Sequence, residues 1–226
     1  MLIERISTLF KRISHAAMRA GRSPDEIELL AVTKTIDTEH IAEAIDAGLR
    51  IFGENRVQEG LEKIDHLRRY SGLEWHMIGT LQKNKVKKAV EAFDVIESVD
   101  SIELLDRICR HARDLNKVQR VYVQVKLSDE TNKHGISPGE VMEMVEVGSG
   151  QDHVSVDGIM VIPPYSDDVE EVRPYFVRLR EIRDDLISSG YDIKNLSMGM
   201  SNDFEVAVEE GSTLVRIGSA IFGERT

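Results

Sequence analysis

The sequence predicts one (β/α)₈ TIM barrel with an extra helix in front, on three observations. Short apolar, β-branched runs alternate eight times with amphipathic helical segments. The 226 residues suit a single core of that kind, so residues 1–226 read as one domain. No linker, repeat or low-complexity stretch interrupts the series. A doubly wound open sheet is the competing arrangement, but it usually separates first and last strands, whereas a barrel brings every strand end to one mouth.

Leu2, Ile6, Leu9, Ile13 and Ala16/Ala17 recur at helical spacing with Gly21 as a stop, which predicts a helix over residues 3–20. The strand candidates follow at Glu28–Thr33, Arg50–Phe52, Glu74–Ile78, Phe93–Ser98, Val121–Lys126, Val156–Val161, Asn195–Ser197 and Leu214–Ile217. Between them, helices are expected at Asp37–Ala47, Asn55–Arg69, Gln82–Ala92, Ser101–Asn116 and Pro138–Val147. A long one runs to about Ser188 before Gly190, and another covers Asn202–Glu210 before Gly211. Ser137-Pro138-Gly139-Glu140 spells a capping box, and the long helix is expected to settle near Pro174, because proline cannot sit deep inside it.

A hydrophobic share of 41% beside 31% charged residues is that of an ordinary globular protein. The net charge of −11 argues against general binding to nucleic acid or an anionic membrane surface. Lys83, Lys85, Lys87 and Lys88 form the one basic cluster, read first as the solvated side of a helix and second as a phosphate-steering or partner patch. Cys109 is the only cysteine, and helical spacing turns it inward as a core thiol. No Cys or His spacing suggests a metal site, and charge every few residues at the N-terminus is unlike a signal peptide or membrane span, so a cytoplasmic location is expected.

Chemistry concentrates at the two ends of the chain. Leu29-Leu30-Ala31-Val32-Thr33-Lys34 delivers one lysine at the end of the first strand, where partial desolvation lowers an amine's pKa and frees it to attack an aldehyde. Gly218-Ser219 opens a turn into a short helix and offers backbone N–H groups to an anion, although such pairs are also common in plain turns. Ser201 is either a simple N-cap of the helix after it or a phosphate ligand at the barrel mouth. Arg216 ends an apolar strand, where it pairs with a barrel carboxylate or faces a ring nitrogen, keeping that nitrogen unprotonated.

Five motifs stand in register: Ala31-Val32-Thr33-Lys34, Phe52-Gly53-Glu54-Asn55, Trp75-His76 through Lys85, Ser197-Met198-Gly199-Met200-Ser201-Asn202-Asp203, and Val215-Arg216-Ile217-Gly218 through Gly223. Together they resemble the pyridoxal-phosphate homeostasis proteins, a family built on the barrel domain of bacterial alanine racemases. The resemblance implies pyridoxal 5′-phosphate (PLP) as cofactor, held by a Schiff base on Lys34, with Arg216 at the pyridine nitrogen. It further implies that Ser201, Gly218 and Ser219 hold the phosphate and that Asn55 and His76 line the pocket. Arg56 stands where the family often has tyrosine, and Thr80 where proline or histidine is common.

The racemases resembled here use a tyrosine from a separate C-terminal β-domain as the second acid/base group. This sequence stops at Thr226, directly after the eighth strand-helix unit, so no such domain is expected. The implied role is PLP binding in intracellular PLP and vitamin B6 homeostasis, without efficient catalysis, by a monomer whose partners are PLP and apo PLP-enzymes. A weak PLP-dependent racemase or lyase is the alternative, with Tyr165 the one tyrosine placed near the mouth. A class I aldolase without PLP is the second, disfavoured because its lysine typically comes from a later strand. Lys133-His134-Gly135 is a polar loop at the pocket edge, and Gly158 a strand accommodation.

Overall fold

In the computed structural model, which describes residues 2–128, 130 and 134–223, eight parallel strands close into a barrel in chain order. They are β1 (Glu28–Val32), β2 (Ile51–Glu54), β3 (Glu74–Met77), β4 (Val95–Val99), β5 (Gln119–Gln124), β6 (Val154–Met160), β7 (Asn195–Ser197) and β8 (Leu214–Ile217). The helices are α1 (Leu2–Arg19), α2 (Thr38–Asp46), α3 (Val57–Leu67), α4 (Val86–Ala92), α5 (Ile102–Asp114), α6 (Val141–Ser149), α7 (Arg173–Ser188), α8 (Phe204–Glu209) and α9 (Ser219–Phe222). The closed sheet settles the choice against an open one. Closure pairs β1 with β8, with Leu30 opposite Arg216 and Ala31 opposite Ile217, so the residues that follow the first and last strands leave the sheet side by side.

Strand side chains alternate between two apolar compartments, as a period of two requires. One face of each strand packs outward on the helices, where Phe52 and Trp75 stack with ring centroids 5.3 Å apart. The other fills the lumen with Leu30, Val32, Ile78, Val95, Tyr122, Met160 and Leu214. The predicted face of α1 is buried through Ile6, Leu9, Ile13, Ala16 and Ala17, and packs on α8 and α9. Each large side chain so buried contributes about 1.5–3 kcal/mol.

Most departures from the sequence reading are at element ends. Gln82–Ala92 divides into a 3₁₀ turn over Lys83–Lys85 and the short α4, so the lysines do not share one helical face. β5 starts at Gln119, two residues before the expected Val121. Pro174 sits in the first turn of α7, and the Ser137 box opens a 3₁₀ turn leading into α6. Cys109 is half-buried against the outer core. Gly158 lies where a Cβ would stand 2.5 Å from the Asn195 carbonyl oxygen, a close approach of β6 to β7 that glycine alone permits.

Candidate functional site

At the C-terminal ends of the strands a cavity of about 420 Å³ is lined by Lys34, Ser201, Arg216, Gly218 and Ser219, together with Tyr165 and Asp203. Five of the seven residues singled out in the sequence meet there, from loops that the barrel alone makes neighbours. A larger open cleft, about 820 Å³, lies at the opposite end of the strands among Glu28, Arg120, Arg180 and Thr213. Barrel chemistry resides at the C-terminal face, so the smaller cavity is the candidate.

Lys34 is the second residue of a tight turn that Ile36 N–H closes on the Thr33 carbonyl at 2.9 Å. Thr33 is fully buried and continues the β1 ladder by donating its N–H to the Gly53 carbonyl at 3.0 Å. The turn thus projects from a fixed strand end rather than a mobile loop.

Arg216 is 4% exposed, and its two terminal nitrogens donate to Ser197 Oγ at 2.5 Å and to the Val161 carbonyl at 2.7 Å. Glu97 lies 3.9 Å from the guanidinium and accepts from the same Ser197 hydroxyl at 2.5 Å, so Arg216 has a barrel carboxylate as neighbour and still borders the cavity. Burial works against the arginine's charge, while Glu97 and Asp203 favour it.

Behind Glu97 the network continues through the lumen. His76 is 1% exposed and stands between Glu97 Oε1, 2.6 Å from Nδ1, and Glu74 Oε1, 2.7 Å from Nε2. Burial alone would lower its pKa, but hydrogen bonds and charge from the two carboxylates push it up to about 9, so it is a cation at neutral pH. Burial likewise opposes the Glu97 charge, but His76, Arg216 and Ser197 bring its pKa below the ordinary range.

The anion side of the cavity is built from the ends of β7 and β8. Gly218 and Ser219 stand at the start of α9, and Ser201 Oγ accepts the Ala220 N–H at 3.3 Å, tying the two loops together. Ser201 does not cap α8, because that helix begins at Phe204, with Asp203 in the cap position. Asp203 instead accepts the Met200 N–H at 2.6 Å and holds the loop closed.

Asn55 and His76 are not among the residues lining the cavity. Asn55 is half-buried, with its backbone against Gly79, and His76 is a link in the buried network. Arg56 and Thr80 are exposed and also stand outside the lining. Tyr165 borders the cavity while 78% exposed, and its hydroxyl donates to Asp167 Oδ1 at 2.8 Å. Of the 133–135 loop, Lys133 lies outside the described residues, and Gly135 has the expected left-handed φ of 129°. Glu97 is absent from the residues singled out in the sequence, and Ser197 and Asp203 stand there only as members of a motif, without a role. A carboxylate amid apolar neighbours in Val95-Ile96-Glu97-Ser98-Val99 was the available signal.

The profile of the alanine racemase N-terminal domain matches residues 8–226. A protein of Aquifex aeolicus (strain VF5) named pyridoxal phosphate homeostasis protein is 46% identical over 224 residues, 98% of this chain and 97% of that one. This chain belongs to the pyridoxal phosphate homeostasis protein family. The solved structure of PipY from Synechococcus elongatus PCC7942, described with PLP bound, superposes with a TM-score of 0.87 at 36% identity, covering 99% of this chain and all of that one (100%). An alanine racemase of Clostridium difficile 630 shares the fold, with a TM-score of 0.75 at 16% identity over 98% of this chain and 57% of that one. Three of the five motifs, those around Lys34, Ser201 and Arg216, border the mouth cavity, while His76 and Glu97 continue the polar network below it.

Proposed function

We propose that this barrel, residues 1–226 acting as one domain, binds PLP in the mouth cavity through Lys34 and serves to hold and release it in PLP homeostasis. The supporting observation is the donor set: an amine, a buried guanidinium and a hydroxyl-plus-backbone cradle border one cavity of about 420 Å³, a size that suits a small ligand. That set fits a phosphorylated aldehyde carrying a ring nitrogen. When bound, PLP supplies a reactive aldehyde carbon on an electron-withdrawing ring.

Lys34 would supply the amine that takes that carbon, the aldehyde oxygen leaving as water. Ser201, Gly218 and Ser219 take the phosphate, with hydroxyl and backbone donors at the start of α9. Arg216 would face the ring nitrogen; a guanidinium has only donors, so a nitrogen held there would stay unprotonated and the ring would be a weak electron sink. His76 acts through Glu97 from below the cavity, and Asn55 stands outside the lining. The relatives' name and the PLP in the PipY structure agree with this reading.

The racemase alternative needs a second acid/base group opposite Lys34. Tyr165 is the tyrosine bordering the cavity, but its hydrogen bond to Asp167 and that carboxylate's charge raise its pKa, which leaves the proton-accepting phenolate scarcer still at neutral pH. The same proposal has the protein cytoplasmic, monomeric and in exchange with apo PLP-enzymes; among the described residues no helix is long and apolar enough to cross a membrane.

The test is PLP titration of purified protein followed by desalting. Visible absorption that stays with the wild type and is absent from Lys34→Ala supports binding, and a colourless wild type contradicts it. Racemisation of single L-amino acids well above free PLP would move the assignment to an enzyme.

A further inference from the structure

Lys63, on α3, is 6% exposed and lies outside the mouth cavity. An ammonium has three donors, and each of these finds an acceptor: the Thr33 carbonyl at 2.6 Å, Glu54 Oε1 at 2.8 Å and Glu59 Oε1 at 2.6 Å. All three acceptors belong to, or act on, the segment that carries Lys34. Thr33 Oγ1 donates to Glu54 Oε1 at 2.5 Å, and the Thr35 N–H donates to Glu59 Oε1 at 2.6 Å.

The residues on both sides of Lys34 are therefore tied to one buried cluster. The Thr33–Ile36 turn is closed at 2.9 Å, and Thr35, its third residue, has a φ of 65°. Positive φ at that position marks the type II pattern, where glycine or asparagine is usual and a β-branched residue is strained. Types I and II differ by a flip of the central peptide, here the bond between Lys34 and Thr35. Glu59 accepts the N–H of that peptide and so selects one side of the flip, while Lys63 fixes Glu59. The other oxygen of Glu54 is buried without a hydrogen-bond partner.

We propose that Lys63, with Glu54 and Glu59, is a positioning clamp that holds the Thr33–Ile36 turn in its strained form and thereby aims the Lys34 amine at the anion cradle. It rests on the reading of Lys34 as the PLP-binding lysine. Lys63 does not line the cavity; it acts through the turn.

The experiment compares full-length wild type with Glu59→Ala, Thr35→Gly and the double variant. Glu59 is part-exposed, so its loss spares the fold, whereas Lys63→Met leaves two carboxylates facing each other and is expected to lose soluble protein. Two signals are read beside the melting temperature: the rate at which added PLP develops visible absorption, and hydrogen exchange of the Thr35 amide in protein without PLP. Glu59→Ala is expected to load about tenfold more slowly and to expose the amide, because the strained turn loses its lock. Adding Thr35→Gly removes the strain and should restore loading to within about twofold of wild type.

Loading at the wild-type rate with the amide still protected in Glu59→Ala overturns the clamp. Slow loading without recovery in the double variant also overturns it, since Glu59 is then a general stabiliser. A wild type that never loads PLP contradicts the proposed function instead, and amide exchange still decides whether the turn is clamped.

Discussion

His76 Nδ1 lies 2.6 Å from Glu97 Oε1 in the middle of the barrel, both side chains being essentially inaccessible to solvent. Two ionised groups buried so closely make the fold depend on pH from both sides. His76 is raised from 6.5 to about 9 on folding, so the folded chain binds the proton more tightly than the unfolded one. Its contribution is complete below about pH 6.5 and is lost as pH rises through about 9. Glu97 is lowered, so its contribution is present above the ordinary carboxylate range and is lost on acidification through its folded pKa.

Urea unfolding should therefore show stability falling between pH 6.5 and 9, by on the order of 3 kcal/mol from His76. His76→Gln should flatten that limb while lowering stability at pH 6. An unchanged limb in the variant would assign the pH dependence to other groups.

Arg216→Lys keeps a cation but loses the fork that meets Ser197 and Val161 together. PLP affinity is expected to fall about tenfold with the visible absorption retained, since the covalent link does not depend on the guanidinium. Equilibrium titration measures it, and wild-type affinity would remove Arg216 from the ring nitrogen.

Ser201→Ala removes a hydroxyl that bridges the β7 and β8 loops at the anion end of the cavity. A hydrogen bond to a charged group contributes about 1.5–3 kcal/mol, so PLP should bind roughly 10- to 100-fold more weakly. Pyridoxal, which has no phosphate, should be nearly unaffected. Equal losses for both ligands would place Ser201 away from the phosphate.

A stability control far from the mouth is Gly60→Ala on α3, where a Cβ would stand 2.4 Å from Phe93 Cζ in the outer core. The overpacking should cost about 1–3 kcal/mol in urea unfolding and leave PLP affinity unchanged.

The fold was legible because eight strand patterns and their helix stops are local signals, and the rim was legible because Lys34, Ser201, Arg216 and Gly218-Ser219 directly follow, or end, strands that closure brings together. Three features were not. The buried network around His76 was not legible, because a sequence does not say how deep in the lumen a strand residue lies, and its two carboxylate partners come from β3 itself and from β4. The start of α8 shifted because Asp203 turns back to the Met200 N–H and delays the helix past Ser201. The Lys63 cluster was hidden because α3 reads as amphipathic, and only contact with the turn after β1 explains a buried ammonium there.

The most direct measurement is borohydride reduction of PLP-loaded protein followed by peptide mass mapping. A single pyridoxyl-phosphate addition on the peptide containing Lys34, and none in Lys34→Ala, is expected. Addition chiefly at another lysine, or undiminished in that variant, would contradict it.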